Sequence, residues 1–307
     1  MSDYEVIVIG SGLAGLTAGL FSARAGLSTL VLESNIPGGH LISIEKIEDF
    51  PGFPDGVSGY ELCPNLQRQA GDAGAEFQRA EVMGLEMNDR SWSINTDEDR
   101  HRAKAVIVAT GSTLKSLGVP GEEKLLGRGV SHCASCDGPL YNGQTVGVVG
   151  GGDSALQEAL TLTNYAERVM IFNDGDRFVG QSNYQQRVFS SSKIAVHHRA
   201  TIEEVLGDDV VTGARVRDLR TAEISQIELM GLFIYIGVQP NTDLLRDLVK
   251  LSASGHVPTD VLMQTERPGL FAAGDIRVDS ACQAITSAGD GATAAVAAQR
   301  YINTAFK

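Results

Sequence analysis

The sequence predicts an α/β fold: two Rossmann-like, three-layer ββα units, the second inserted in the first. Three observations carry this. A strand, glycine turn and helix pattern is centred on Gly10-Ser11-Gly12-Leu13-Ala14-Gly15. It restarts at Gly150-Gly151-Gly152-Asp153-Ser154-Ala155. After residue 270 the chain returns to strand, turn and a long Ala-rich helix. A chain of 307 residues is long enough for two domains and a large buried core. The crossings are placed so that one domain takes residues 1–113 and 243–307 and the inserted one takes 114–242.

The elements follow in order. Glu5 to Ile9 is a β-rich apolar run, Leu13 to Arg24 has helical spacing, and Ser28 to Leu32 is a buried strand ending at Glu33. Residues 36–60, rich in Pro and Gly, read as an extended loop. Residues 61–80 read as a helix and 81–104 as a hairpin-like β segment around Trp92. Ala105 to Gly111 reads as a buried strand ending in a tight turn. In the second unit, Thr145 to Val149 and Arg168 to Phe172 read as strands, with Asp153 to Tyr165 as the helix between them. Residues 193–235 read as further β segments with turns at Gly207 and Gly213. Thr286 to Thr304 is the Ala-rich helix.

Composition narrows the function. Hydrophobic residues make up 43% and charged residues 21%, as in soluble globular proteins. The net charge of −13 argues against nucleic-acid or anionic-membrane partners. The polar start Met1 to Glu5 resembles no signal peptide, and no apolar run reaches the ~20 residues of a membrane span. A cytoplasmic location is therefore expected. Four cysteines make no disulfide scaffold, and a close pair in such a protein is catalytic or metal-binding more often than structural.

Gly10, Gly12 and Gly15 follow a strand and open a helix. A helix start offers unpaired N–H groups and a positive dipole to a pyrophosphate. Gly12 permits close backbone approach and Gly15 permits tight helix–strand packing, while Glu33 can accept from ribose hydroxyls. This is a dinucleotide site. Cys133-Ala134-Ser135-Cys136 can be a redox pair or half a zinc site. No second close Cys pair exists to complete four ligands, so no metal is expected. A dithiol with this spacing can close a small disulfide loop and exchange through a mixed disulfide.

Further motifs occur in a fixed order. They are Gly38-Gly39-His40-Leu41, Glu48-Asp49-Phe50-Pro51-Gly52-Phe53, Ala109-Thr110-Gly111, Gly237-Val238-Gln239-Pro240-Asn241-Thr242, Gly274-Asp275-Ile276 and Gln283-Ala284-Ile285-Thr286-Ser287-Ala288-Gly289. With Cys133–Cys136, they make essentially the whole chain resemble the low-molecular-weight thioredoxin reductases. The resemblance implies FAD, held by Gly10, Ser11, Gly12, Ala14, Gly15, Glu33, Gly39, His40, Leu41, Thr110, Gly111, Gly274, Asp275, Gln283 and Ala284. It also implies that Cys136 faces the flavin and Cys133 attacks a thioredoxin-like protein. Asp137 would handle the proton, and the chain would be a homodimer. Two positions depart from the family: His40 stands for Gln, and Cys282 for Arg. His40 offers a proton carrier near the flavin or a packing loop residue. Cys282 and Cys63 read as buried small hydrophobes.

Gly150, Gly152, Asp153 and Ser154 open a second helix, and the next strand ends in Asn173-Asp174-Gly175-Asp176-Arg177-Phe178. NADPH-dependent relatives place a His-Arg-Arg cluster there. This chain has acidic residues instead, which disfavours a 2′-phosphate. The donor expected from this is ferredoxin, reaching the flavin past a vestigial site. The alternatives are NADH bound through Asp174, a second flavin, or NADPH after all. A dithiol oxidase using O2 is the competing activity. Its relatives tend to carry His after the second Cys, so Asp137 favours the reductase. A flavin-bound redox sensor without turnover is a third reading.

Overall fold

The structure, a computed structural model, describes residues 2–307. The first segment holds β1 (Ser2–Ile9), α1 (Leu13–Arg24), β2 (Thr29–Glu33), α2 (Gly59–Asp72), β3 (Glu76–Arg79), β4 (Val82–Asn88), β5 (Ser91–Thr96), β6 (Arg100–Val108) and β7 (Ser112–Leu114). The inserted stretch holds β8 (Val130–Ser131), α3 (Ala134–Asp137), β9 (Thr145–Val149), α4 (Asp153–Leu162), β10 (Arg168–Asn173) and α5 (Ser182–Ser190). It continues with β11 (Ile194–His198), β12 (Ala200–Leu206), β13 (Gly213–Asp218), β14 (Ile224–Glu228), β15 (Gly231–Ile234) and β16 (Val238–Pro240). The chain then closes the first unit with β17 (Leu270–Ala272) and α6 (Ala284–Ala305).

In the first unit the sheet order is β3-β2-β1-β6-β5-β4, with β17 on β6. The strands β3, β2, β1, β6 and β17 run parallel, while β4–β5 and β5–β6 are antiparallel. Side chains alternate between two buried faces. Val6, Val8 and Ile107 pack against the small residues Ala14 and Ala18 of α1 and Ala294 and Ala298 of α6. Ile7, Ile9, Val106 and Val108 pack against Leu85, Trp92 and Ile94 of the β4–β5 layer. Burial on both faces is why Val6 to Ile9 of β1 and Ala105 to Val108 of β6 read as continuous apolar runs, whereas Arg100 to Ala103 alternates exposed and buried.

The second unit repeats this layering. Its parallel sheet has the order β11-β10-β9-β15-β8. One face carries α4 and α5 through Ala155, Leu156, Ala159, Tyr184 and Val188. The other carries the antiparallel β12-β13-β14 layer through Ile202, Val205, Ala214 and Val216. The fold is thus α/β, with two Rossmann-like nucleotide-binding units, the second inserted.

Several boundaries differ from the sequence expectation. The helix read over 61–80 ends at Asp72. Gly74 turns the chain with φ +102°, and Glu76–Arg79 pairs with β2 as an edge strand. Helix α5 was not expected, because only Tyr184 and Val188 are buried along it. Gly213 begins β13 rather than forming a turn. Among the described residues the compact units are 2–113 with 239–307, and 114–238. Asn241 and Thr242 belong to the first unit: Asn241 Nδ2 donates to Thr110 O (3.0 Å) and Thr242 Oγ1 donates to Gly255 O (2.7 Å).

Candidate functional site

The end of β1 feeds a turn that only glycine can make. Gly10 has φ +97°, and a Cβ there would lie 2.4 Å from Ala109 O. A Cβ on Gly15 would lie 1.9 Å from Gly10 O, so α1 packs directly on the strand end. A Cβ on Gly12, by contrast, would meet nothing within 4 Å. Gly12 is the N-cap of α1 without a side-chain cap, which leaves the first-turn N–H groups open to an anion.

Gly10, Gly12, Ala14, Glu33, Gly39, His40, Leu41, Thr110, Gly111, Gly274 and Asp275 line one cavity of about 760 Å³, within the usual range for a cofactor site. Among the described residues its lining has no Lys or Arg, so a pyrophosphate would be met by backbone N–H groups and the α1 dipole. Glu33 is fixed at the strand end: Oε2 accepts from Ser11 N (2.7 Å) and Ser11 Oγ (2.8 Å), and Oε1 from Asn35 N (2.9 Å). Ser11 is buried and serves this anchor instead of lining the cavity. Asp275 is held by Ser287 Oγ at 3.1 Å and Ser112 Oγ at 3.4 Å. The Gly274 turn before it is fixed by Gly274 N donating to Asp290, which also takes two bonds from Arg277. His40 Nε2 bonds the Ser112 carbonyl, which can only accept, so that nitrogen carries the proton. The glycine cradle and anchored carboxylates fit a dinucleotide.

Gln283 and Ala284 lie outside this lining. Gln283 instead caps α6 in a reciprocal capping box with Thr286. Ser112, Asn241 and Ser287 line the cavity and were not singled out as site residues. Asn241 and Ser287 lie inside motifs that were visible in the sequence, whereas Ser112 had no signal beyond following Gly111. Cys282 is exposed rather than buried, because it sits in the turn before α6 with φ +51°. Cys63 is buried, and burial pushes its thiol up to about 11.

In the second unit Cys133 and Cys136 form a disulfide. Cys133 is the N-cap of the single turn α3, and Cys136 N donates to its Sγ at 3.2 Å. Ser135 Oγ lies 3.5 Å from the same sulfur. The end of β15 clamps the segment from both sides. His132 Nδ1 donates to Ile234 O at 3.0 Å, and Ala134 N donates to Tyr235 Oη at 3.1 Å. Burial raises the Tyr235 pKa, and the neighbouring Glu158 carboxylate, which accepts its O–H, raises it further. Tyr235 therefore stays a neutral anchor. Asp137 is half-buried; its N–H donates to Cys133 O at 3.1 Å, and its charge helps raise Tyr141 and Tyr235. Residue exposure ranks Cys136 as exposed and Cys133 as half-buried.

The second glycine turn has the same construction. Gly150 has φ +136°, and a Cβ there would lie 2.1 Å from Tyr235 O. Gly152 is the N-cap of α4 and has open space around it. The loop after β10 is laced onto this turn: Gly151 O accepts from Val179 N (2.9 Å) and Gly180 N (3.1 Å). Asp153 accepts from Gln181 N (2.6 Å) and Gln181 Nε2 (3.2 Å), so its carboxylate fastens the loop. Ser154 is exposed in the first turn of α4. Asn173 is buried, with its amide nitrogen 3.2 Å from Gly175 O and 3.1 Å from Arg177 O. Asp174 is exposed, and Asp176 pairs with Arg199.

This construction, two glycine-turn units with a disulfide on the second, is matched along the chain by the family described as Pyridine nucleotide-disulphide oxidoreductase, over residues 4–300. The chain belongs to that family. Within it, the chain is 40% identical over 303 residues to the thioredoxin reductase of Treponema pallidum, covering 99% of this chain and 98% of that one. It is 39% identical to the NADPH-dependent thioredoxin reductase 3 of Arabidopsis thaliana, covering 98% of this chain and 58% of that one. The solved thioredoxin reductase of Lactococcus lactis superposes with a TM-score of 0.95 at 36% identity, covering 98% and 99%. A ferredoxin-flavin thioredoxin reductase of Clostridium acetobutylicum superposes with a TM-score of 0.55 at 27% identity, covering 100% and 99%. The protein is a thioredoxin-reductase-type FAD oxidoreductase with a redox-active disulfide. Among the described residues no helix is long and apolar enough to cross a membrane.

Proposed function

We propose that this protein reduces a disulfide of a thioredoxin-like protein, using FAD and the Cys133/Cys136 pair, with a reduced pyridine nucleotide as donor. The observation that carries the reading is the Cys133–Cys136 disulfide on a turn fixed by the end of a nucleotide-unit strand. Gly10, Gly12, Glu33 and Asp275 are the residues suited to holding FAD, which when bound would supply two-electron transfer between nucleotide and disulfide. A pyridine nucleotide is favoured over the ferredoxin or second flavin expected from the sequence. The family's description and the NADPH-dependent Arabidopsis relative support that choice, and the second turn keeps an open Gly152 at a helix start.

In the reduced pair, the Cys136 N–H beside Cys133 Sγ favours the Cys133 thiolate. That thiolate attacks one sulfur of the partner disulfide. The partner's S–S bond breaks, and its second sulfur leaves as a thiolate that takes the Cys136 thiol proton by way of the Asp137 carboxylate. Cys136, now a thiolate, then attacks Cys133 in the mixed disulfide, which re-forms Cys133–Cys136 and expels the partner's other sulfur as a thiolate that takes its proton from solvent. Exposure alone would favour Cys136 as the attacker, so the division of labour rests on the stabilisation at Cys133. Trapping separates the two. Reduced Cys136→Ser should hold a thioredoxin as a covalent adduct resolvable only by added thiol, and reduced Cys133→Ser should not. An adduct formed through Cys136 alone would reverse the assignment.

A further inference from the structure

We propose that the second nucleotide turn selects NADH over NADPH and that Asp174 makes the selection. This rests on the reading that a pyridine nucleotide is the donor. In a strand–turn–helix–strand unit the adenosine ribose lies at the end of the second strand, here β10. The last residue of β10, Asn173, has its side chain turned inward. A Cβ on Gly151 would lie 2.4 Å from Asn173 Oδ1, and the Asn173 amide nitrogen is engaged by the Gly175 and Arg177 carbonyls. Asn173 thus closes the 173–177 loop, and Asp174 is the first residue past the strand with an exposed side chain.

Among the described residues no ion pair or hydrogen bond occupies the Asp174 carboxylate. It is free to accept from a ribose hydroxyl in a charge-assisted bond. A 2′-phosphate would place about two negative charges against it and needs cations in return. The neighbourhood supplies few. Arg199 is taken up by Asp176, and the pair is neutral. Arg177 remains, and its single charge only balances that of Asp174. The loop therefore offers a 2′-hydroxyl an acceptor and offers a 2′-phosphate no net attraction.

The test uses FAD-loaded protein and two probes that need no turnover, ADP-ribose and 2′-phospho-ADP-ribose, measured by calorimetry. The kcat/KM ratio for NADH and NADPH is measured alongside. ADP-ribose is expected to bind about tenfold or more tightly than its 2′-phosphate, the equivalent of one charge-assisted bond. Asp174→Asn is expected to narrow the preference, and Asp174→Arg to reverse it. A wild-type preference for the phosphorylated probe, or a ratio unchanged in Asp174→Asn, overturns the selection alone. Binding of neither probe overturns the donor reading and the selection with it.

Discussion

At the scale of single residues, the chemistry concentrates on three neighbours. Cys133 and Cys136 were legible from their spacing and from the absence of a second cysteine pair that would make a zinc site. Asp137 took its proton-handling role from the resemblance; burial raises the Tyr141 and Tyr235 hydroxyls, and the Asp137 charge adds a smaller push to both. A carboxyl can carry the proton that the departing thiolate needs, and an amide cannot. Asp137→Asn should therefore lower kcat for disulfide reduction by about a hundredfold, as removal of a positioned acid does. The disulfide itself should still form in the variant. A variant with unchanged kcat across the pH range would remove Asp137 from the proton path. Other residue roles were hidden from sequence. Asp153 and Asn173 read as ligand contacts, yet the fold spends both on fastening the 173–181 loop. That use depends on a loop folding back over a helix start, which no local pattern encodes.

At the scale of elements, the dithiol turn depends on β15. Its end supplies the Ile234 carbonyl and the Tyr235 hydroxyl that clamp the segments on each side of Cys133. Tyr235→Phe would leave the Ala134 N–H without this acceptor and remove the hydroxyl that the buried Glu158 accepts from. Orphaning such groups costs about 1–3 kcal/mol each, so the variant should unfold at lower denaturant concentration by an amount in that range. Chemical denaturation checks this, and an unchanged midpoint would show that β15 does not hold the turn. The long elements were legible because burial on two faces writes continuous apolar runs into β1, β6 and β9. Helix α5 and edge strand β3 were not legible. The helix buries only two side chains, and the strand is recruited by pairing with β2 rather than by its own pattern.

At the scale of the whole molecule, one layering is used twice. Each unit stacks helices, a parallel sheet and an antiparallel layer, and each carries a glycine turn that a Cβ would block. The duplication was visible in the two glycine motifs. Asn241 and Thr242 fall in the first unit, where Asn241 is held by Thr110, 131 residues earlier, and Thr242 by the nearby Gly255. The first unit has the cavity for a dinucleotide and the second has the disulfide, which makes the electron outlet a matter of two sulfurs. The most direct measurement is steady-state reduction of a thioredoxin disulfide by FAD-loaded protein with NADH as donor, run beside Cys133→Ser and Cys136→Ser. The account predicts sustained turnover consuming one nucleotide per disulfide in the wild type and none in either variant. Turnover in a variant at the wild-type rate, or wild-type protein inert with NADH and NADPH alike, would contradict it.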